Sequence, residues 1–156
     1  MTNPYQTPQA NVPLDENSTP MAYAGFWIRA GASIIDTILI LMVTSPLLYM
    51  FYGSQFLLGE SFIQGPADVV ISYVLPAVAS VLFWIYKSAT PGKMLMGIRI
   101  VDAETGGRCS TGQLIGRYLG YYPSMLFLMF GFLWVAFDKR KQGWHDKLAG
   151  TLVIRN

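Results

Sequence analysis

The sequence predicts an α-helical integral membrane protein with a small β-sheet at one face of the membrane. The chain of 156 residues is 53% hydrophobic and 13% charged, with a mean hydropathy of +0.38, whereas soluble domains are about 25% charged. Uncharged runs lie at 37–59, 69–86 and 118–137. Two strand-like segments, 96–101 and 151–154, lie outside these runs. We therefore expect two transmembrane helices, a third membrane-embedded segment that is re-entrant or spanning, and a sheet formed by the two strands.

The composition excludes several classes of function. The formal net charge is only +2, and no basic run is interleaved with aromatic residues, so nucleic acid is not an expected partner. The single Cys109 and the single His145 exclude an intrachain disulfide and a multi-histidine metal site within one chain. No serine or cysteine nucleophile lies in a recognisable catalytic context. The sequence therefore predicts a protein that is not an enzyme and needs no cofactor.

Residues 1–20 form a tail that differs from the rest of the chain. The tail has four prolines, two acidic residues and no lysine or arginine, so we expect it to be disordered and to precede a membrane domain at 21–156. It lacks the basic start and apolar core of a signal peptide, and we expect it to remain on the mature protein. Its NPYQTP portion is a candidate for binding a protein partner, and a solvated leader is the simpler interpretation.

The first membrane segment is predicted at about 23–52, where only Arg29 and Asp36 are charged. At about 1.5 Å per residue, this run crosses a hydrocarbon core of roughly 30 Å. In a helix its small and polar residues share one stripe, which belongs against other helices. The stripe and its margin contain Gly25, Arg29, Ala32, Ser33, Asp36, Thr37 and Thr44.

The second and third segments differ in how regular they are. The second, 69–86, is about 27 Å long as a helix, which is enough to span. The third, 113–137, is interrupted by Gly120, Pro123 and Gly131. For this segment we favour an amphipathic first part followed by a re-entrant hairpin that turns near Pro123 or Gly131. A plain third crossing is the alternative.

The distribution of basic residues predicts the orientation. The loop 53–68 has two acidic residues and no lysine or arginine, whereas 87–112 has four basic residues. The positive-inside rule therefore places the N-terminus and the loop 87–112 in the cytoplasm. The C-terminal tail is also basic, and pairing of the two strands, with a return strand near Arg108 as an option, requires both to lie on the same side. Both observations favour the re-entrant third segment.

These motifs together resemble the RDD family of small bacterial membrane proteins, which is named for one arginine and two aspartates. The resemblance covers about 24–156 and rests on GFWIRAGASIID, TPGKMLMGIRIVDAETGG, IGRYLG and GFLWVAFDKRKQGWHDKLAGT. It matches the family arginine to Arg29, the first aspartate to Asp36, and the second to Asp146, with Asp138 as the alternative. The resemblance implies a multi-pass protein of the bacterial cytoplasmic (inner) membrane. It also implies transport of unidentified ligands, with cation/proton antiport proposed for some members.

Asp36 is the sharpest functional candidate, because a charge at mid-bilayer costs about 2.5–3.5 kcal/mol on insertion scales. In one interpretation its carboxylate exchanges a proton for a cation. In the other, which we favour, it forms a structural ion pair with Arg29 or Arg117, and Arg29 is the preferred partner because it shares the stripe. A cation path needs several oxygen ligands. The candidates are Asp36, Ser33, Thr37, Ser72 and backbone carbonyls near Pro76. Ordinary packing of small residues is the simpler interpretation of this set.

Two functions are compatible with these features. The first is a small transporter or transporter subunit that uses Asp36 and Arg29 to move a cation or another small ligand. Because three segments enclose little space, its pathway is expected between the protomers of a homo-oligomer. The second is a non-transporting membrane adaptor or assembly protein, in which Asp36 only forms a structural ion pair.

The C-terminal part contains two further features. Side chains of adjacent residues seldom face each other, so we do not expect acid–base chemistry between His145 and Asp146. We expect Asp146 to cap a short helix or to accept hydrogen bonds from backbone amides. A basic cluster is expected to attract anionic head groups of the bilayer. It consists of Lys139, Arg140 and Lys141.

Overall fold

The computed structural model describes residues 22–58, 63–126 and 130–156. The predicted tail at 1–20 lies outside the described residues. In chain order the elements are the helices α1 (Phe26–Tyr52), α2 (Ser54–Leu58) and α3 (Pro66–Val69), a π-helical turn (Val70–Val74), the helices α4 (Leu75–Lys87) and α5 (Pro91–Leu95), the strand β1 (Ile98–Asp102), the helices α6 (Thr111–Leu119), α7 (Tyr121–Leu126), α8 (Phe130–Phe137) and α9 (Trp144–Ala149), and the strand β2 (Thr151–Arg155).

Two helical stretches are long and apolar enough to span a membrane. Helix α1 has 27 residues with a mean hydropathy of 2.0, and the stretch Pro66–Lys87 has 22 residues with a mean hydropathy of 2.1. Only 11% of the residues in the apolar window of each stretch are buried inside the protein. Large apolar side chains such as Met42 and Val78 are more than half exposed, which a surrounding lipid phase stabilises. The two predicted transmembrane helices are therefore confirmed.

The third apolar segment is broken. The axes of Thr111–Leu126 and Phe130–Phe137 differ by 100°. Where α7 meets α8, a Cβ atom on Gly131 would lie 2.7 Å from the Cα atom of Ser124, which is closer than real contacts allow. Glycine at position 131 therefore permits the close approach of the two helices.

The predicted pairing of the two strands is confirmed. β1 and β2 are antiparallel, with a register that runs from Ile98↔Arg155 to Asp102↔Thr151. The chain just before α1 joins them, because Tyr23 forms a bridge with Ile154 and the Ala24 N–H donates to the Val153 carbonyl over 2.9 Å. Within the described ranges, no strand forms near Arg108. The Asp102 N–H instead donates to the Gly107 carbonyl and closes a turn there.

The sheet restricts how the chain crosses the membrane. It brings together the start of α1, the chain that follows α4 and the end of the chain. A single crossing between β1 and β2 would place the two strands on opposite sides of the bilayer and break their pairing. The segment formed by α6, α7 and α8 must therefore return to the side from which it enters. This geometry favours the re-entrant arrangement over a plain third crossing.

A hydrophobic core lies where the sheet meets the ends of α1, α4 and α6. Its buried members come from all four elements and are joined by partly buried neighbours that include Ile28, Met96 and Tyr118. The buried members are Ala24, Ala32, Trp84, Ile98, Ile100, Leu114 and Val153. This core fixes the positions of the helix ends that meet the sheet. The candidate site lies beside it.

We predict that both ends of the membrane domain lie on the same side of the bilayer. In a Cys109→Ser background, cysteines introduced as Ala22→Cys and Asn156→Cys should react with an impermeant thiol reagent from the same side. The measurement is labelling in intact cells compared with inverted vesicles. Opposite labelling of the two positions would contradict the paired strands.

Candidate functional site

A buried cluster of one carboxylate and two guanidinium groups joins three helices. We call Arg29, Arg117 and Asp146 the charge lock. The Nη1 atom of Arg29 lies 2.6 Å from Oδ2 of Asp146, and Nη1 of Arg117 lies 2.7 Å from Oδ1. The side chains of Arg117 and Asp146 are 1% and 0% exposed. Each carboxylate oxygen thus holds a different arginine, and α1 and α6 are both tied to α9.

Local sequence explains why Asp146 reaches this position. It is the third residue of the short helix α9, and its Oδ2 accepts a hydrogen bond of 3.0 Å from the Gly143 N–H just before that helix. The prediction that Asp146 accepts hydrogen bonds from a backbone amide at a short helix is confirmed. A Cβ atom on Gly120 would lie 3.0 Å from the Cα atom of His145. The small residue at the end of α6 therefore lets α9 pack closely.

Arg117 lies on a helix with a well-defined start. Ser110 and Gln113 form a capping box, in which the Ser110 Oγ accepts from the Gln113 N–H and the Gln113 Oε1 accepts from the Ser110 N–H. Two turns later, Nη1 of Arg117 also donates to the Thr151 Oγ1 over 3.1 Å. The charge lock is therefore connected to β2 as well as to the helices.

The pKa values of Asp146 and His145 in α9 are shifted by different causes. Burial alone would raise the pKa of Asp146, but the positive charges of Arg117 and Arg29 outweigh it and hold that pKa well below its usual range. The stability that this ionised carboxylate contributes is therefore present above the unfolded pKa of about 3.9 and is lost only as the pH falls below it. Burial is the largest effect on His145 and lowers its pKa to about 3, because the charge of Asp146, which raises the pKa, is outweighed by burial together with the charges of Arg117, Arg29 and Lys93.

His145 is consequently neutral at physiological pH and acts as a packing group. Its ring lies 4.6 Å from the ring of Tyr121 and 5.0 Å from that of Phe132, measured between centroids. It fills the space between α7 and α8 beside the charge lock.

Asp36 holds α5 against α1. Its Oδ2 accepts a hydrogen bond of 2.5 Å from the Thr90 Oγ1, and its Oδ1 accepts one of 2.7 Å from the Gly92 N–H. A Cβ atom on Gly92 would lie 2.2 Å from the Ala32 carbonyl oxygen and 2.8 Å from the Asp36 Cγ. Only glycine at this position permits the contact. We call Asp36, Thr90 and Gly92 the α5 clamp.

The expected ion pair of Asp36 with Arg29 or Arg117 is therefore wrong. Both arginines bind Asp146, and in the part of the chain that the structure describes Asp36 forms no ion pair. Arg29 and Asp36 are about 10.5 Å apart along the helix axis. The chain folds back at α9 and places Asp146 beside Arg29. Arg29 therefore pairs with Asp146 and not with Asp36 on its own helix.

Lys93 is a further charged residue that the sequence analysis did not identify. It is buried, and its Nζ lies 5.1 Å from the centre of the Trp84 ring. Burial, followed by the charges of Arg117 and Arg29, lowers the pKa of Lys93 to about 7. In the sequence, the one indication that Lys93 lies at the site is its position in the TPGK motif, close to the end of a membrane segment.

The remaining predicted residues are not gathered around one ligand. The Thr37 Oγ1 donates to the Ser33 carbonyl within α1, over 2.8 Å. The Ser72 Oγ donates to Oδ1 of Asp68 over 2.7 Å, near the start of the second span. Asp138 accepts a 2.5 Å contact from the Nζ of Lys147, whose side chain is 43% exposed. Of the two candidate second aspartates, Asp146 is thus in the charge lock and Asp138 is in a pair close to the surface.

A cavity of about 900 Å³ lies between α1, α4 and the broken third segment. Its polar end is formed by Arg29, Asp36, Lys93, Arg117 and His145. Most of its other lining residues are apolar, and they include Leu39, Ile40, Met42, Val43, Leu75 and Phe83. A space of this size accommodates a small-molecule ligand. A single protomer thus contains space between its three segments, and a pathway between the protomers of a homo-oligomer stays a prediction.

We predict that Asp146→Asn lowers the free energy of unfolding by about 3–5 kcal/mol, because it leaves two buried guanidinium groups without a counter-charge. Asp138→Asn is the matched control and should cost less than about 1 kcal/mol, because its pair with Lys147 is partly exposed. Denaturant unfolding in detergent micelles measures both values. Equal losses for the two variants would show that the charge lock is not buried as described.

For the α5 clamp, we predict a loss of about 1–3 kcal/mol for Asp36→Asn, because hydrogen bonds to a charged acceptor are weakened. A double-mutant cycle should give a coupling energy above about 0.5 kcal/mol with Thr90→Val and additivity with Thr37→Val. Coupling of Asp36→Asn to Arg29→Gln, with none to Thr90→Val, would contradict the clamp. Thermal unfolding of the single and double variants is the measurement.

The chain is similar to a known protein family and to several uncharacterized proteins. The model of the RDD family matches residues 23–150. The uncharacterized protein YxaI of Bacillus subtilis (strain 168) is 34% identical over 148 residues, which cover 84% of this chain and 96% of YxaI. The uncharacterized membrane protein YteJ of the same organism is 28% identical over 138 residues, which cover 85% of this chain and 81% of YteJ.

A third relative matches over a shorter region. The uncharacterized protein RP437 of Rickettsia prowazekii (strain Madrid E) is 40% identical over 76 residues, which cover 49% of this chain and 42% of RP437. No solved structure matches the chain. Because the family model covers most of the chain and YxaI aligns over nearly its whole length, the resemblance drawn from the motifs is confirmed, and the chain belongs to the RDD family.

Proposed function

We propose that this protein is a small membrane transporter whose ligand occupies the cavity between α1, α4 and the third segment, and that the ligand carries negative charge. The observation that carries the proposal is the cavity itself, which has a charged end and apolar walls within a single protomer. Sites with few convergent polar groups in a largely apolar pocket are typical of ligand binding.

The charge balance at the polar end supports an anionic ligand over a cation. Three cationic side chains, Arg29, Lys93 and Arg117, line it together with Asp36, and Asp146 lies directly behind two of them. Both oxygens of Asp36 already accept hydrogen bonds in the α5 clamp. A cation at this end would meet more positive than negative charge in a region of low dielectric constant. Cation exchange at Asp36 is therefore the less supported form of transport.

We propose that the sheet and the N-terminus face the cytoplasm, in the bacterial inner membrane. The chain from the end of the second span to α6 contains four basic residues, whereas the loop 53–68 contains only acidic charges. The four are Lys87, which ends the span, and Lys93, Arg99 and Arg108. This asymmetry supports the orientation through the positive-inside rule.

The basic cluster at 139–141 has a partly structural role that is compatible with membrane binding. Arg140 donates from Nη2 to the Ala103 carbonyl over 2.6 Å, and Lys141 donates from Nζ to the Ala136 carbonyl over 2.9 Å. Lys139 is exposed. We propose that the cluster contacts anionic head groups at the membrane surface. We also propose that the N-terminal tail binds a protein partner and that the protein assembles into a homo-oligomer.

Transport is tested in proteoliposomes with three probes: sodium ions with a trapped pH dye, inorganic phosphate, and a fluorescent phosphatidylglycerol followed between leaflets. We predict movement of a negatively charged probe, blocked by Ala79→Phe, which fills the cavity wall on α4. Val78→Phe is the matched control, because the neighbouring Val78 is 52% exposed. Movement of none of the probes would favour the non-transporting adaptor, and sodium–proton exchange alone would favour Asp36 as an exchanging carboxylate.

A further inference from the structure

We propose that the cavity binds one anionic phospholipid from the surrounding bilayer, with its phosphate at the side chains of Arg29 and Lys93 and an acyl chain between α1 and α4. The inference rests on the proposed function, because it names the ligand class of the same cavity. It is carried by the charge at the polar end, by unpartnered hydrogen-bond donors, and by the length and position of the apolar walls.

The polar end has an excess of positive charge when Lys93 is protonated. Arg29, Lys93 and Arg117 carry three positive charges against the carboxylates of Asp36 and Asp146, and His145 is neutral. An uncompensated charge in a buried site is unfavourable, and a phosphodiester supplies one compensating negative charge. Because burial and its cationic neighbours hold the pKa of Lys93 at about 7, a bound phosphate stabilises the protonated form.

The arginines keep free donors beside this charge. Among the residues that the structure describes, Nε and Nη2 of Arg29 and Nε of Arg117 have no hydrogen-bond partner. A guanidinium group has five N–H donors, and phosphate oxygens are its best-matched acceptors. The ion pairs with Asp146 are formed by Nη1 of each arginine. An anion at the end of the cavity supplies acceptors that the protein does not.

The walls distinguish a lipid from a soluble anion. From Arg29 to Thr44 the lining follows α1 for about 22 Å at 1.5 Å per residue. One leaflet of the hydrocarbon core is about 15 Å thick, half of roughly 30 Å. Met42 and Val43 are more than half exposed along this wall. A free phosphate would leave the whole apolar wall uncovered, whereas an acyl chain covers it and remains continuous with the bilayer.

The polar end also lies at the depth of lipid head groups. Arg29 is in the first turn of α1, and Lys93 follows the end of α4. Two aromatic residues at the same ends, Trp27 and Tyr86, are 83% and 70% exposed, as expected for the belt of tryptophan and tyrosine at a membrane interface. A phospholipid of this leaflet therefore reaches the charged end without leaving its normal depth.

The experiment measures binding to the full-length protein in a neutral detergent at pH 6, where Lys93 carries its charge. Dioleoylphosphatidylglycerol should raise the thermal unfolding midpoint, and native mass spectrometry should show one bound molecule per protomer. Dioleoylphosphatidylcholine with the same chains, and inorganic phosphate alone, should not. Lys93→Met should weaken the binding of phosphatidylglycerol by about tenfold, the effect of losing one charge-assisted contact. Lys87→Met, which removes an exposed lysine at the end of α4, should bind like the parent.

The arms separate the possible outcomes. Equal stabilisation by the two phospholipids, or by inorganic phosphate alone, would overturn the proposal, as would equal losses for the two lysine variants. The unfolding midpoint without lipid shows whether Lys93→Met is folded. Ala79→Phe, in the apolar wall of the cavity, should weaken the binding of phosphatidylglycerol, and its control Val78→Phe should not. Binding of phosphatidylglycerol without transport of any probe leaves this inference standing and overturns the transporter. Transport of a negatively charged probe without binding of phosphatidylglycerol overturns this inference and leaves the transporter standing.

Discussion

The carboxylate of Asp146 is the group on which the arrangement of the helices depends. It holds Arg29 of α1 and Arg117 of α6, and its own helix leads directly into β2. A buried ion pair contributes little net stability compared with a well-packed apolar core, but breaking one side of it is strongly unfavourable. The cluster therefore acts mainly by excluding other arrangements, since any movement of α9 away from α1 and α6 would leave charges buried and alone.

The two aspartates of the motif, Asp36 and Asp146, have separate structural roles. Asp146 compensates arginines, whereas Asp36 accepts hydrogen bonds from Thr90 and Gly92 and so holds α5 on α1. Both carboxylates are engaged by the protein, and when Lys93 is protonated the three cationic side chains at the polar end of the cavity outnumber them. This division explains why a motif with two aspartates and one arginine produces a site that we expect to favour an anion.

The small sheet restricts the path of the chain through the membrane. Two strands are marginally stable alone, but here Tyr23 and Ala24 extend them and Ile100 and Val153 are buried in the core. By linking the start of α1 to both strands, the sheet determines that the broken third segment returns to its side of origin. The cavity lies between this broken segment, α1 and α4.

The sequence by itself determined the features that depend on local composition and periodicity. The two spans followed from runs of apolar residues, and the pairing of the strands followed from their strand-like pattern and from the requirement that basic segments share one side. The interruption of the third segment was also predicted, but not its position, because Pro123 and Gly131 lie within α7 and α8 and the bend falls between Leu126 and Phe130. The tertiary structure alone decided which acid binds Arg29, because Asp146 is 117 positions away in the chain and reaches it only through the fold of α9. The burial of Lys93 and the cavity within one protomer have the same cause, since both arise from the packing of distant segments and leave no periodic signal.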